Sequence, residues 1–216
     1  MSREKLQVNQ IKRRSMFGEV MVRFLRKPIA VFGAVVLILV IVLCLLSPAI
    51  APYDYDAQDI TRKFTEPCKK FICGTDNLGR DIFSRLLYGG RISLMVGFVS
   101  ASVAAIIGVT LGAIAAFYGK RTDNIIMRIL DVFMALPQTL LAIAISAMIG
   151  TGIKGAIIAV TVATIPRYAQ AVRGPILSIR NQEFVEAAFA IDAKDSRIIL
   201  QHILPNVLSP IIVQVT

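Results

Sequence analysis

Charge is scarce in this chain: Asp, Glu, Lys and Arg make up 18% of its 216 residues, hydrophobic residues make up 56%, and the mean hydropathy is +0.68. So little charge excludes an ordinary soluble domain and points to a membrane class. Nucleotide-binding motifs are lacking as well. Gly150-Thr151-Gly152-Ile153-Lys154-Gly155 matches G-x-G-x-x-G, but no strand precedes it and no βαβ unit surrounds it, so the glycines read as a turn between helices. Gly112 and Gly119-Lys120-Arg121 approach a P-loop, yet the glycine spacing is wrong and no Ser or Thr follows the lysine. An ATP site on this chain is therefore not expected.

Long charge-free runs are what the chain does have. Nothing is charged between Lys27 and Asp54, and Ile29–Leu46 is an unbroken run of apolar residues and glycine, about 27 Å of helix. Further charge-free stretches cover Ile92–Gly119 and Val132–Ile153, and Gly155–Val172 is interrupted only by Arg167, close enough to its end to snorkel. The expectation is an all-α, polytopic bundle with four spans before residue 181. Pro137 and Pro166 should bend spans three and four.

The formal net charge of +10 does not imply nucleic acid, because the basic residues flank apolar runs and do not form a face with interleaved aromatics. Eight Lys and Arg in the first 28 residues (Arg3, Lys5, Lys12, Arg13, Arg14, Arg23, Arg26, Lys27) oppose only Glu4 and Glu19, which marks a cytoplasmic N-terminus at the cell membrane. A cleaved signal peptide is the competing reading of span one, helped by Ala49-Ile50-Ala51; the run is longer than such a core, and more spans follow. The expected organisation is a cytoplasmic segment 1–28, a transmembrane helix 29–48, an external segment 49–91 and a membrane core 92–216.

Cys68 and Cys73 fall in the external segment, where an oxidising environment would permit a disulfide; two unpaired thiols is the other reading. The single histidine, His202, falls on the opposite side, which argues against zinc, and no cofactor is expected. No Ser-His-Asp or Cys-His set assembles on one side of the membrane, so an enzyme is not indicated. In span two, Gly97, Ala101, Ala105, Gly108, Gly112 and Ala116 recur at steps of three and four, a small-residue face for close helix packing, within the chain or against a partner subunit. Arg128 and Asp131 are spaced for an i,i+3 pair.

After span four, residues 181–206 alternate polar and apolar residues with helical spacing and predict two short helices. Phe184, Val185, Ala188 and Ile191 lie near one face, suited to docking on a partner, with Glu183 and Glu186 on another. Asp192 suits a left-handed helix end, and Asp195 an N-cap for the second helix.

Glu186-Ala187-Ala188, the following turn and Leu204-Pro205 resemble the EAA loop of ABC-importer permeases. Residues 73–94 and His202–Asn206 are similar to the dipeptide/oligopeptide/nickel branch of that family, whose extra N-terminal helix span one also resembles. The resemblance covers most of the chain. It implies the type I ABC importer permease fold and transport without catalysis, most naturally of di- or oligopeptides, with nickel the alternative within the branch. It also implies a second homologous permease, cytoplasmic ATP-binding subunits and an extracellular solute-binding protein as partners. The loop 181–205 would couple to the ATPase through Glu183, Glu186, Ala187, Ala188, Asp192, Leu204 and Pro205. The family pattern has glycine where this chain has Asp192. Members usually have six spans, whereas only Asn206–Thr216 follows the loop here, 11 residues or about 16 Å of helix, so the expectation is a chain that stops within span five. Outside the family, a membrane scaffold, an inactive transporter fragment and an intramembrane enzyme using Asp131 or His202 are the rivals.

Overall fold

The structure is a computed structural model that describes residues 24–207. Most of the basic N-terminal flank and the expected fifth span, from 208 onward, lie outside the described residues. The chain divides into two compact units, Met1–Arg91 and Ile92–Thr216. Among the described residues every regular element is helical, with one isolated β-bridge between Thr75 and Asp81.

In the first unit, helix α1 (Pro28–Leu45) coincides with the first apolar run, and Pro28 sits where a missing N–H leaves nothing unpaired. Only Cys44 of α1 is buried, which suits a helix solvated by lipid around its whole circumference. Cys44 is accommodated by Gly90, where an added Cβ would lie 2.5 Å from its Sγ. A short turn, α2 (Ser47–Ile50), leads into an irregular segment packed around buried Phe71, whose ring stacks on Tyr53 at 5.3 Å. Gly79, at φ +72°, passes so close to the Asp59 carbonyl that no side chain would fit.

Two aspartates tie this segment to the next helix, α3 (Ile82–Tyr118). Asp81 caps α3 by accepting from the Ser84 amide (2.8 Å) and hydroxyl (2.7 Å), while the Tyr53 amide donates to the same Ser84 Oγ. Asp76 accepts from the amides of Leu78 and Arg80 and from the side chains of Arg80 and Arg85. Burial alone would raise the Asp76 pKa, but these donors outweigh it and hold the carboxyl well below the ordinary carboxylate range. Cys68 and Cys73 are free thiols, the first exposed and the second partly buried.

Helix α3 is 37 residues long, about 55 Å, and starts ten residues before the expected span at Ile92. The additional turns carry Arg85 and Arg91, so the helix forms outside the hydrocarbon and extends into it.

In the second unit, α3 ends at Gly119 (φ +63°) and α4 (Lys120–Met134) begins at once. The expected third span is a broken pair rather than one bent helix. After α4 the chain turns by 87° at Pro137 into α5 (Gln138–Ile149), whose 12 residues cover about 18 Å, too little to cross alone. Gly150 and Gly152, at φ +106° and +122°, form the tight turn into α6 (Ile153–Arg180), consistent with a turn at the G-x-G-x-x-G stretch. Helix α6 runs as one element through Pro166 and Pro175, and no break occurs at Pro166. Among the described residues three helices (α1, α3, α6) are long and apolar enough to span a membrane, and four crossings result if α4–α5 counts as one.

The small-residue row of α3 divides along its length. Near Gly97 there is open space, whereas Gly108 and Gly112 abut the backbone of α6 at Ile165 and Ala169. Its C-terminal half therefore packs within this chain, close enough that a methyl group has no room.

Candidate functional site

The segment after α6 folds as α7 (Glu183–Ala190), then one α-helical turn, α8 (Asp195–Arg197), which widens to a π-helical stretch at Ile198–Ile203 and tightens to a 3₁₀ turn at Leu204–Val207. It is anchored by its own hydrophobic face. Val185, Ala188, Ile198, Ile203 and Val207 are all 4% exposed or less and share one core with Ala113, Ala116 and Phe117 of α3 and Val172 and Ile176 of α6.

That core corrects one expectation. Val185 and Ala188 do not form an outward docking face, because α7 needs them to hold itself to the bundle. Alanine at 188 is small because the interior is full. Ala187 and the carboxylates of Glu183 and Glu186 face outward, together with Ala190 and Ile191, the last 77% exposed. A helix presenting Glu183, Ala187 and Ala190 in one row, flanked by Glu186 on one side and Phe184 and Ile191 on the other, is a shallow surface that a partner can approach closely. Leu204 is half-buried against the core and Pro205 is exposed.

The end of α7 is built as its sequence suggests. Asp192 adopts φ +54°, its amide donates to the Phe189 carbonyl and the Ala193 amide donates to the Ala188 carbonyl, the paired bonds of a Schellman closure. Asp195 is not the N-cap of the next helix. It is the first helical residue, and its carboxylate accepts from the Tyr118 hydroxyl at 3.0 Å, tying α8 to the end of α3. Arg180 likewise donates to the Ala116 carbonyl at 3.4 Å, helping to satisfy the C-terminus of α3. His202 is half-buried on the π-helical stretch.

A second polar locus lies between α4 and α6. Arg173 grips Asp123 with two hydrogen bonds of 2.6 Å, Nε to Oδ1 and Nη2 to Oδ2. The expected Arg128–Asp131 pair is absent among the described residues; Asp131 instead accepts from Gln170 Nε2 at 3.3 Å. Together with Asn124, Met127 and Arg128 these groups line a cavity of about 540 Å³. The 50-residue separation hid the Asp123–Arg173 pair from the sequence. The available signal was two opposite charges, each just outside a long apolar stretch.

Lipid-length helices with a short helical segment packed against two of them define a polytopic helical membrane protein. Comparison with known proteins narrows this. The family described as binding-protein-dependent transport system inner membrane component matches residues 108–216, and the N-terminal TM domain of oligopeptide transport permease C matches residues 15–67. The chain is 40% identical over 191 residues to the dipeptide transport system permease protein DppC of Alkalihalophilus pseudofirmus, covering 88% of this chain and 63% of that one. It is 37% identical over 202 residues to the oligopeptide transport system permease protein OppC of Bacillus subtilis, covering 94% and 66%. It is 43% identical over 192 residues to the glutathione transport system permease protein GsiD of Escherichia coli, covering 88% and 63%. The chain thus spans a little under two thirds of the length of these relatives. It belongs to the family of binding-protein-dependent transport system inner membrane components, and its fold is that of the type I ABC importer permeases.

Proposed function

We propose that this chain acts as a permease subunit of a binding-protein-dependent importer of small peptides, driven by ATPase subunits that dock on α7 and α8. Three relatives are named for dipeptide, oligopeptide and glutathione transport, all short peptides. In this reading the basic N-terminal flank is cytoplasmic, and with the bent α4–α5 pair taken as one crossing the chain returns to that side before residue 181. The docking surface is then cytoplasmic, where ATP is available. An external solute-binding protein delivers the peptide, a second permease completes the pathway, and closure of the ATPases changes access from outside to inside.

The observation that carries this reading is the asymmetry of α7. One face is fully committed to the bundle, so a force on its outward row, Glu183, Ala187 and Ala190, is transmitted to α3 and α6 through packed side chains. The test is co-purification and uptake in the complete transporter. Ala187→Trp should abolish association with the ATPase subunits while leaving the permease in the membrane. Undiminished association and peptide uptake would refute the docking assignment.

A further inference from the structure

Helix α4 carries three parallel rows, each at spacing i, i+4, i+7. Asp123, Met127 and Leu130 are buried against the bundle; Ile125, Ile129 and Val132 are exposed and apolar, between 56% and 69% accessible. Between them run Asn124, Arg128 and Asp131, exposed and polar. The first row meets the protein and the apolar one suits lipid. The polar row suits neither, because charged side chains facing hydrocarbon are costly and are found where they meet water or a polar partner.

The polar row opens onto the 540 Å³ cavity, whose other wall is Gln170 and Arg173 of α6. Its charges are arranged with opposite signs. Asp123 is already held bidentately by Arg173, whereas Asp131 accepts from the amide of Gln170, feels the Arg173 charge only at longer range and forms no ion pair among the described residues. Arg128 stands one turn from Asp131 on the same row and is likewise exposed. The cavity therefore offers a carboxylate with no direct cationic partner and a guanidinium with no ion pair among the described residues, about one helical turn apart.

We propose that this cavity is a hydrated station on the translocation path that binds a short peptide as a zwitterion, with Asp131 taking the terminal ammonium and Arg128 the carboxylate. The assignment rests on the importer reading and names the substrate-contacting residues within it.

The experiment uses the assembled transporter, with Cys44, Cys68 and Cys73 replaced by alanine and single cysteines introduced at Asn124, Arg128 and Asp131 or at Ile125, Ile129 and Val132. A charged, membrane-impermeant thiol reagent should modify the polar row about tenfold faster or more, since thiolate chemistry needs water. Dialanine delivered by the binding protein should slow modification at Asn124→Cys, which lines the same cavity and leaves Asp131 and Arg128 in place. Equal rates in the two rows, or no protection by dialanine, would overturn the proposal. In the transporter with its native cysteines, Asp131→Asn should reduce dialanine uptake by about tenfold or more, the scale of losing one charge-assisted contact, and Asp131→Glu should restore most of it, with ATPase association unchanged in both. Uptake by Asp131→Asn at the wild-type rate would also overturn it. The two ideas fail separately: if the unmutated transporter takes up no peptide the importer reading fails, whereas normal uptake without the labelling contrast defeats only this site.

Discussion

Replacing Gly112 by alanine tests how α3 meets α6. A Cβ at Gly112 would fall against the carbonyl oxygen, carbonyl carbon and Cα of Ala169, all backbone atoms that cannot turn away as a long side chain can. Separating the helices enough to admit it should cost about 1–3 kcal/mol, the range for overpacked interiors. Alanine also favours a helix over glycine by about 1 kcal/mol, so the net change alone is ambiguous. Gly97 removes the ambiguity: it lies on the same row of the same helix, with nothing within 4 Å of its would-be Cβ. Gly97→Ala gains the propensity term without the clash. The two variants should therefore differ by about 1–3 kcal/mol, or about 2–12 °C in melting temperature for a chain of this size. Thermal unfolding in detergent, followed by tryptic resistance of the membrane core, measures the difference. Equal melting temperatures would refute the close approach of α3 and α6.

Other outcomes follow from the same contacts. Ala188→Leu should lower melting temperature and membrane yield, since Ala188 is 4% exposed in a filled core and overpacking costs about 1–3 kcal/mol; pulse-chase of the membrane-inserted protein would detect it. Asp192→Gly should stabilise the end of α7 by up to about 1 kcal/mol, whereas Asp192→Val should destabilise it, because φ +54° suits glycine and disfavours a β-branched side chain; hydrogen exchange at the Asp192 and Ala193 amides reports both. Asp76 gives a pH signature. Its folded pKa is depressed, so its stabilisation is fully present above the unfolded value of about 3.9 and is lost as pH falls below it. Asp76→Asn should therefore increase proteolysis of residues 51–81 at pH 7, and that difference from wild type should shrink progressively under acid conditions.

Local sequence is enough where a local rule governs. Residues 28–45 form a lipid-facing helix because no other structure satisfies the backbone of an apolar run of that length. The glycines at 150 and 152 had to be a turn once helices stood on both sides, and Asp192 closes α7 because its short side chain tolerates left-handed geometry. Pro137 marks the place where span three changes direction, but not the amount. An 87° break rather than a gentle bend separates α4 from α5, and α4 owes its course to buried Asp123, Met127 and Leu130 packed against the bundle.

Partner choice across long separations was beyond local rules. Arg128 and Asp131 have ideal spacing for an ion pair, yet Asp131 turns to Gln170, and Asp123 finds Arg173 50 residues away. The faces of α7 illustrate the same division. Its periodicity specifies that Val185 and Ala188 share a side, but a hydrophobic face looks alike whether it awaits a partner or meets its own bundle. Composition and run length determined the membrane class and the lipid-length helices, since both depend on the energy of burying a backbone or a charge in lipid. The family resemblance rested on the motifs at 73–94, 186–188 and 202–206. Which faces meet protein, lipid or the polar cavity was decided only by the tertiary structure, because that depends on which distant residues the folded chain brings within a few ångströms.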